Sequence, residues 1–275
     1  MDLDEKTAIV TGAGSGVGRE LARTFAREGA NVVCCGRTAS RLDESVTLIE
    51  AEGGTAFAIP TDVTDWDQVR RLAACALDRF GQIDLLFNNA GSFGFVGPLW
   101  EADPRVWWED VTVNLYGTML CCRAVLPHMI ERDTGILINM DGGGGAGGPN
   151  VGGSAYGCSK AAIVRFSEGL ARELEQSGSS VLVFCMNPGF VRTAMTENLI
   201  STPQKQAWQP HVSRLMGSDQ EMPPDACARA TLRLLRIAGP ALSGCVFDVH
   251  TDFEDVARRR AVIREQNLYV MRRRP

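Results

Sequence analysis

The sequence is poor in the residues that build metal centres and disulfide frameworks: it has three histidines, His128, His211 and His250, and no CxxC pair. Its nine cysteines are odd in number and include the adjacent pairs Cys34-Cys35 and Cys121-Cys122, a spacing that fits neither a zinc site nor a set of bridges. Reduced, mostly buried thiols and no metal are therefore expected. No apolar run is long enough to span a bilayer, so no membrane partner is expected. An excess of positive charge is lacking too, and a net charge of −5 over 275 residues argues against nucleic acid as a partner. Met1 to Lys6 alternates acidic and apolar residues and leads straight into a strand, unlike a signal peptide. The expectation is a soluble, cytoplasmic protein.

What is present is a regular alternation of short apolar runs and amphipathic stretches. Strands are expected over Thr7 to Thr11, Asn31 to Cys35, Thr55 to Ile59, Ile83 to Phe87, a run ending at Met140, Val181 to Met186 and Gly244 to Val249. Between them fall helices ending near Glu28, over Ala39 to Glu52 and Asp65 to Phe80, and a long one with Asp103 as N-cap, Pro104 at its first position and Pro127 near its end. Further helices are expected over about Ala155 to Gln176 and Pro224 to Ile237. Alternation of this kind implies an α/β fold: a Rossmann-type doubly wound parallel sheet of about seven strands with helices on both faces. Composition and length fit a single domain over 1–275. Periodicity weakens over about 193–222, read as an irregular substrate lid carrying Trp208, His211, Met216 and Met222, the histidine and methionines as packing. A C-terminal extension over about 250–275 reads as a helix followed by an arginine-rich tail.

Thr11-Gly12-Ala13-Gly14-Ser15-Gly16-Val17-Gly18 sits between a strand and a helix, where a glycine turn lets backbone approach a pyrophosphate. With Thr11, Gly12, Gly16 and Gly18 in that pattern, the chain resembles the short-chain dehydrogenase/reductase family over roughly Lys6 to Val249. The resemblance implies cofactor contacts at Gly12, Ser15, Gly16, Val17 and Gly18, at Asp62-Val63 beside the adenine, and at Asn89, Ala90 and Gly91 of the Asn88-Asn89-Ala90-Gly91 segment. It also implies contacts at Pro188, Gly189, Val191 and Thr193 around the nicotinamide carboxamide, and at Tyr156 and Lys160. Where a carboxylate after the second strand would accept from the ribose of NAD, this chain has Gly36-Arg37. A guanidinium there suits a phosphate, so NADP(H) is favoured, with NAD(H) as the alternative.

Tyr156 and Lys160 are four apart on one helix face, an arrangement that lets an ammonium favour the phenolate. By resemblance Tyr156 is the acid/base, Lys160 lowers its pKa and binds the nicotinamide ribose, and Asn114 supports the lysine through a water. The family's catalytic serine is missing. Counting back from Tyr156 reaches Gly143, alignment from the strand end reaches Gly142, and the position before that is Asp141, so Asp141, Gly142 and Gly143 are the candidate substrate-pocket residues. Asp141 is read as turned away from the pocket, with a polar contact to a cationic or amine-bearing substrate as the alternative, and Ser154 as a helix cap and a weak substitute for the serine. Loss of one positioning hydrogen bond would slow hydride transfer by about 1–3 kcal/mol without abolishing it.

The expected function is hydride transfer between NADP(H) and the carbonyl or alcohol of a small organic substrate by a homodimer or homotetramer. Two other readings stay open: a cofactor-retaining lyase, cyclase or isomerase, and a dinucleotide-sensing binding protein.

Overall fold

Apolar, β-branched runs without polar interruption make strands buried on both faces, and the first of them, β1 (Thr7–Thr11), is buried at every residue. The computed structural model describes residues 1–271; Arg272, Arg273 and Arg274 lie outside the described residues. The glycine turn leads into α1 (Gly16–Arg27), then β2 (Asn31–Gly36), α2 (Ala39–Ala51), β3 (Thr55–Pro60), α3 (Trp66–Phe80) and β4 (Leu85–Asn88). Asp65 caps α3 by accepting from Asp67 N and Gln68 N.

Next come α4 (Pro104–Val111), α5 (Gly117–Glu131), β5 (Ile136–Met140), α6 (Ser154–Gln176) and β6 (Leu182–Asn187). Asp103 caps α4 with Pro104 at its first position, but the expected single helix is broken by a π-helical turn at Thr112–Tyr116. Pro127 lies inside α5, which continues past it to Glu131.

After β7 (Phe190–Val191), the segment expected to be irregular forms α7 (Ala194–Asn198), α8 (Pro203–Trp208), α9 (Pro210–Leu215) and β8 (Glu221–Met222). Thr193 and Thr202 cap α7 and α8, and prolines open α8 and α9. Turns this short carry little periodicity, which is why they escape a reading by pattern. The chain closes with α10 (Ala226–Ile237), β9 (Val246–Asp248) and α11 (Phe253–Gln266).

Seven strands form one parallel sheet in the order β3-β2-β1-β4-β5-β6-β9. The order reverses between β1 and β4, so the strand ends there diverge and open a crevice at their carboxyl edge. One face packs α1, α2, α10 and α11 through Leu21, Phe25, Leu42, Ile49, Leu234 and Phe253. The other packs α3, α5 and α6 through Val69, Leu72, Leu120, Met129, Leu170 and Leu174. Each fully buried ring, such as Phe25, Phe87 or Phe184, contributes about 1.5–3 kcal/mol of transfer free energy.

The C-terminal extension, as far as Met271, folds back on its own subunit. Val246 N donates to Tyr269 O at 2.7 Å, Phe247 meets the rings of Phe253 and Tyr269 at 5.7 and 5.2 Å, and Arg165 donates to Met271 O at 3.0 Å.

At the opposite end of the sheet from the crevice, Asp84 ties three elements. Its carboxylate accepts from Thr7 N at 2.9 Å and from Arg132 Nη2 at 3.0 Å, and it is 2% exposed. Replacing Asp84 with alanine leaves the buried Thr7 amide without its acceptor and strips Arg132 of its carboxylate, leaving it its bonds to Ile83 O and Gln82 Oε1. Urea denaturation of Asp84→Ala should show a loss of about 2–4 kcal/mol with dinucleotide affinity unchanged, and a loss below about 0.5 kcal/mol would contradict the assignment.

Candidate active site

Two glycines let the turn after β1 fold back on itself. Gly12 and Gly16 have φ of +67° and +53°, and a Cβ added at Gly18 would overlap the Gly12 carbonyl. Ser15 stands at the N-cap of α1 without a side-chain cap, which leaves first-turn amides, Val17 and Gly18 among them, facing outward where an anion could dock.

Thr11 Oγ1 accepts from Asn89 N at 3.0 Å and Ala90 N at 2.9 Å, while Asn89 Nδ2 donates to Thr11 O at 2.9 Å. These bonds fasten the end of β4 to the turn. A Cβ at Gly91 would come within 3.1 Å of Asn114 Oδ1, and one at Gly16 within 3.1 Å of Thr193 Cγ2, so the segments after β4 and β6 both close on the cradle. Asp62 Oδ1 accepts from Thr64 N and Oγ1 at 2.9 and 2.8 Å, and Val63 packs against Gly117.

Arg37 and Asp62 share an open cleft of about 470 Å3 with Val113. Pro188 opens the turn after β6, Gly189 (φ +68°) donates to Asn187 Oδ1 at 3.0 Å, and Val191 pairs with Met222. Thr193 spends its hydroxyl on capping α7, accepting from Thr196 N at 3.3 Å. The glycine cradle, the amides at α1 and the cleft beyond β2 fit a dinucleotide.

The π-helical turn aims Asn114 inward. It is fully buried, its Oδ1 accepts from Ser92 N at 2.7 Å, and its Nδ2 donates to Ser92 O and to Ser159 Oγ, both at 2.9 Å. Ser159 Oγ in turn donates to Tyr156 O at 2.7 Å, so Asn114 braces the first turns of α6 and does not bond the lysine itself. Lys160 Nζ donates to Met140 O at 2.8 Å and sits 5.4 Å from the Tyr156 ring centroid.

Tyr156 stacks flat on Phe93, centroids 4.3 Å apart at 7°. Phe93 belongs to a loop that Asp110, 1% exposed, holds by accepting from Ser92 Oγ at 2.6 Å, Gly94 N at 2.8 Å and Phe95 N at 3.4 Å. Asp110 and Phe93 escaped the sequence reading; the only sign was a Ser-Phe-Gly-Phe run directly after Asn88-Asn89-Ala90-Gly91. Leu199, just after α7, and Val212 of α9 pack with Phe93, Tyr156 and Trp208, so this segment rests on the tyrosine.

Four expectations change. Ser154 is no cap: the N-cap of α6 is Gly153 with no side-chain bond, and Ser154 Oγ accepts from Trp107 Nε1 at 3.0 Å, which occupies it elsewhere than at a substrate. Asp141 is not turned away. It is 1% exposed at the end of β5, accepts from Asn187 Nδ2 at 3.2 Å, and is so close under the loop that a Cβ at Gly145 would overlap its Oδ1.

Gly142 does more than lack a hydroxyl: a Cβ there would overlap the phenolic oxygen of Tyr156 and lie 3.1 Å from its Cζ, so the phenol fills the space of the absent side chain. Gly143, by contrast, is tied through its carbonyl, which accepts from Asn150 Nδ2 at 3.2 Å.

Last, burial pushes the Tyr156 phenol up, and the carboxylates of Asp141 and Asp110 add to the rise; the expected lowering by Lys160 does not prevail. Burial brings Lys160 down to about 8, opposed by Asp141 and Cys185. Asp141 is itself raised by burial, against its hydrogen bonds and the ammonium.

The sequence profile of the short chain dehydrogenase family matches residues 6–204. A short chain dehydrogenase of Pseudocercospora fijiensis is 37% identical over 234 residues, covering 82% of this chain and 74% of the relative. A chloroplastic chlorophyll(ide) b reductase NOL of Arabidopsis thaliana is 36% identical over 200 residues, covering 71% of this chain and 58% of the relative, whose length is thus matched only in part. Among solved structures, a single-site variant of actinorhodin polyketide ketoreductase with NADPH superposes with a TM-score of 0.78 at 29% identity, over 89% of this chain and 95% of that one. The chain belongs to the short-chain dehydrogenase/reductase family and is an oxidoreductase of the nicotinamide-dependent kind.

An ammonium whose pKa lies near about 8 is charged below that pH and neutral above it. kcat/KM for carbonyl reduction, which reports free-enzyme groups, should therefore fall as pH rises through about 8. Asp141→Asn removes an anion that favours the ammonium, so this limb should move to lower pH; a limb that stays put or moves up would contradict the pairing.

Proposed function

We propose that the protein is an NADP(H)-dependent carbonyl reductase in which Tyr156 is the proton donor, working without a serine. The observation that carries this reading is the phenolic oxygen of Tyr156 seated over Gly142, on the same helix face as buried Lys160 and at the carboxyl edge of the sheet beside the glycine cradle.

The bound dinucleotide supplies the hydride. Gly12, Ser15, Gly16, Val17 and Gly18 hold its pyrophosphate, Asp62, Val63, Asn89, Ala90 and Gly91 its adenosine half, and Pro188, Gly189, Val191 and Thr193 its carboxamide. Arg37, which has no ion-pair partner among the described residues, favours a phosphate on the ribose and hence NADP(H) over NAD(H). Tyr156 gives its proton to the substrate oxygen in reduction. Lys160 then stabilises the phenolate, and Asn114 and Asp110 hold the tyrosine's helix and its stacking partner in place. A phenol pushed up by burial stays protonated at neutral pH, which suits donation in reduction better than abstraction in oxidation.

The substrate in this reading is a bulky apolar carbonyl compound. Gly142 offers backbone rather than a side chain to Tyr156, the loop beyond it is almost all glycine, and Leu99, Trp100 and Val151 are apolar and largely exposed, with Trp100 edge-on to Trp208 at 6.3 Å. The relative named as a chlorophyll(ide) b reductase and the structural neighbour named as a polyketide ketoreductase lend support to the direction of reduction. The same reading places the protein in the cytoplasm as a closed homodimer or homotetramer.

Nicotinamide-deuterated NADPH incubated with a panel of apolar ketones and aldehydes should label the alcohol product, and Tyr156→Phe should lower turnover about 10³-fold. Saturable NADPH binding with no label in any product, and substrate converted without redox change, would replace this reading with the lyase or isomerase alternative.

A further inference from the structure

The run from Gly142 to Gly148 carries one methyl group, on Ala146, and no other side chain. Its backbone has wide freedom, so its place beside Tyr156 depends on what holds it. Its carbonyls receive one side-chain donor among the described residues: Asn150 Nδ2, 3.2 Å from Gly143 O. Asn150 is itself wedged in place, since a Cβ added at Gly144 or at Gly157 would come within 3.1 Å of its Cβ, and one at Gly153 within 2.7 Å of its Oδ1.

The bond that holds Asn150 comes from far along the chain. Gln209, at the junction of α8 and α9, is fully buried, and its Nε2 donates to Asn150 Oδ1 at 3.0 Å and to Val151 O at 2.8 Å. Each amide has one admissible orientation. Turning Asn150 over would set its Oδ1 against Gly143 O, and turning Gln209 over would set its Oε1 against two acceptors. The series therefore runs one way, from Gln209 through Asn150 to Gly143, the neighbour of the residue over which the phenol sits.

Gln209 does this with one atom unsatisfied. Its Oε1 is buried and meets no donor among the described residues, an unfavourable arrangement that a methionine of similar length would avoid. Space-filling between the helices and the loop therefore does not account for a glutamine; the two bonds it donates do. Trp208 beside it packs in the apolar cluster of Tyr156 and Phe93, and a Cβ at Gly152 would come within 2.8 Å of Trp208 Cβ. The end of α8 thus meets the surroundings of the tyrosine by an apolar route through Trp208 and a polar one through Gln209.

We propose that Gln209 is a positioning residue for the reaction: through Asn150 it fixes the glycine run at Gly143, and with it the floor on which the Tyr156 phenol rests. The proposal rests on the reading of Tyr156 as proton donor and gives the segment of α8 and α9 a part in placing it.

Hydrogen-exchange mass spectrometry and steady-state carbonyl reduction by the full chain test it. Gln209→Met keeps the length of the side chain and removes its donor. The amides of Gly145 and Gly153, bonded to Gly142 O and Asn150 O, should then exchange about tenfold faster with β5 unchanged, and kcat should fall about tenfold with the Kd for NADPH unchanged. Asn150→Ala breaks the series at its other end and should give the same two changes, and the double variant should lose no more than either alone. Faster exchange confined to 203–215 would overturn the proposal, as would a looser glycine run with kcat unaltered, or losses that add in the double variant. If the unaltered protein reduces no carbonyl compound while the exchange changes appear as expected, the reductase reading falls and the hold of Gln209 on the glycine run stands.

Discussion

Tyr156 and Gly142 compete for one volume. The phenolic oxygen lies where the first carbon of any side chain at 142 would be, and dense interiors leave no slack for both. Much of the local structure serves that placement. The stack of Phe93 on the phenol ring fixes its plane, Asp110 fixes Phe93, and the π-helical turn sends Asn114 to brace the helix from which the tyrosine projects. The short helices α8 and α9 also pack there, with Val212 and Trp208 in the same apolar cluster as Tyr156 and Phe93.

Such seclusion has an electrostatic consequence. Asp141, Lys160 and the phenol are buried together, and desolvation disfavours the charged form of each. Asp141 and Lys160 lessen each other's penalty, which gives the aspartate a reason to sit at the end of β5 that has nothing to do with replacing a serine hydroxyl. Its carboxylate accepts from Asn187 Nδ2 and lies tight under Gly145 of the glycine loop. In the proposed reduction, a phenol held up by burial beside a lysine brought down to about 8 forms a pair set for donation at neutral pH.

Much of the architecture was legible in the chain because the signals were local. Glycines at Gly12, Gly16 and Gly18, the Asp103-Pro104 helix start and the apolar strand runs each specify structure within a few residues, and the parallel seven-stranded sheet follows from their alternation. Interactions between distant positions were not legible. Ser154 looked like a cap because its partner, Trp107, is 47 residues away, and Asp141 looked outward because nothing beside it in sequence announces Asn187 or Lys160. The π-helical turn hid inside a continuous helical pattern, and nothing local in the C-terminal extension announces that Tyr269 meets Phe247 on the protein's own sheet. The absence of a serine was plain, but its meaning was not: glycine reads as a loss in sequence and as occupied space in three dimensions.

The most direct measurement is kcat/KM for carbonyl reduction by Gly142→Ser beside the unaltered protein, with folding checked by thermal unfolding. If the phenol fills the space over residue 142, the serine displaces it and kcat/KM falls about tenfold or more, as expected when a reacting group is moved from its place. A rise of about 10²-fold, the size of a restored hydrogen-bond donor, would mean that the site merely lacks its serine and that the seat of Tyr156 over Gly142 is not what the enzyme depends on.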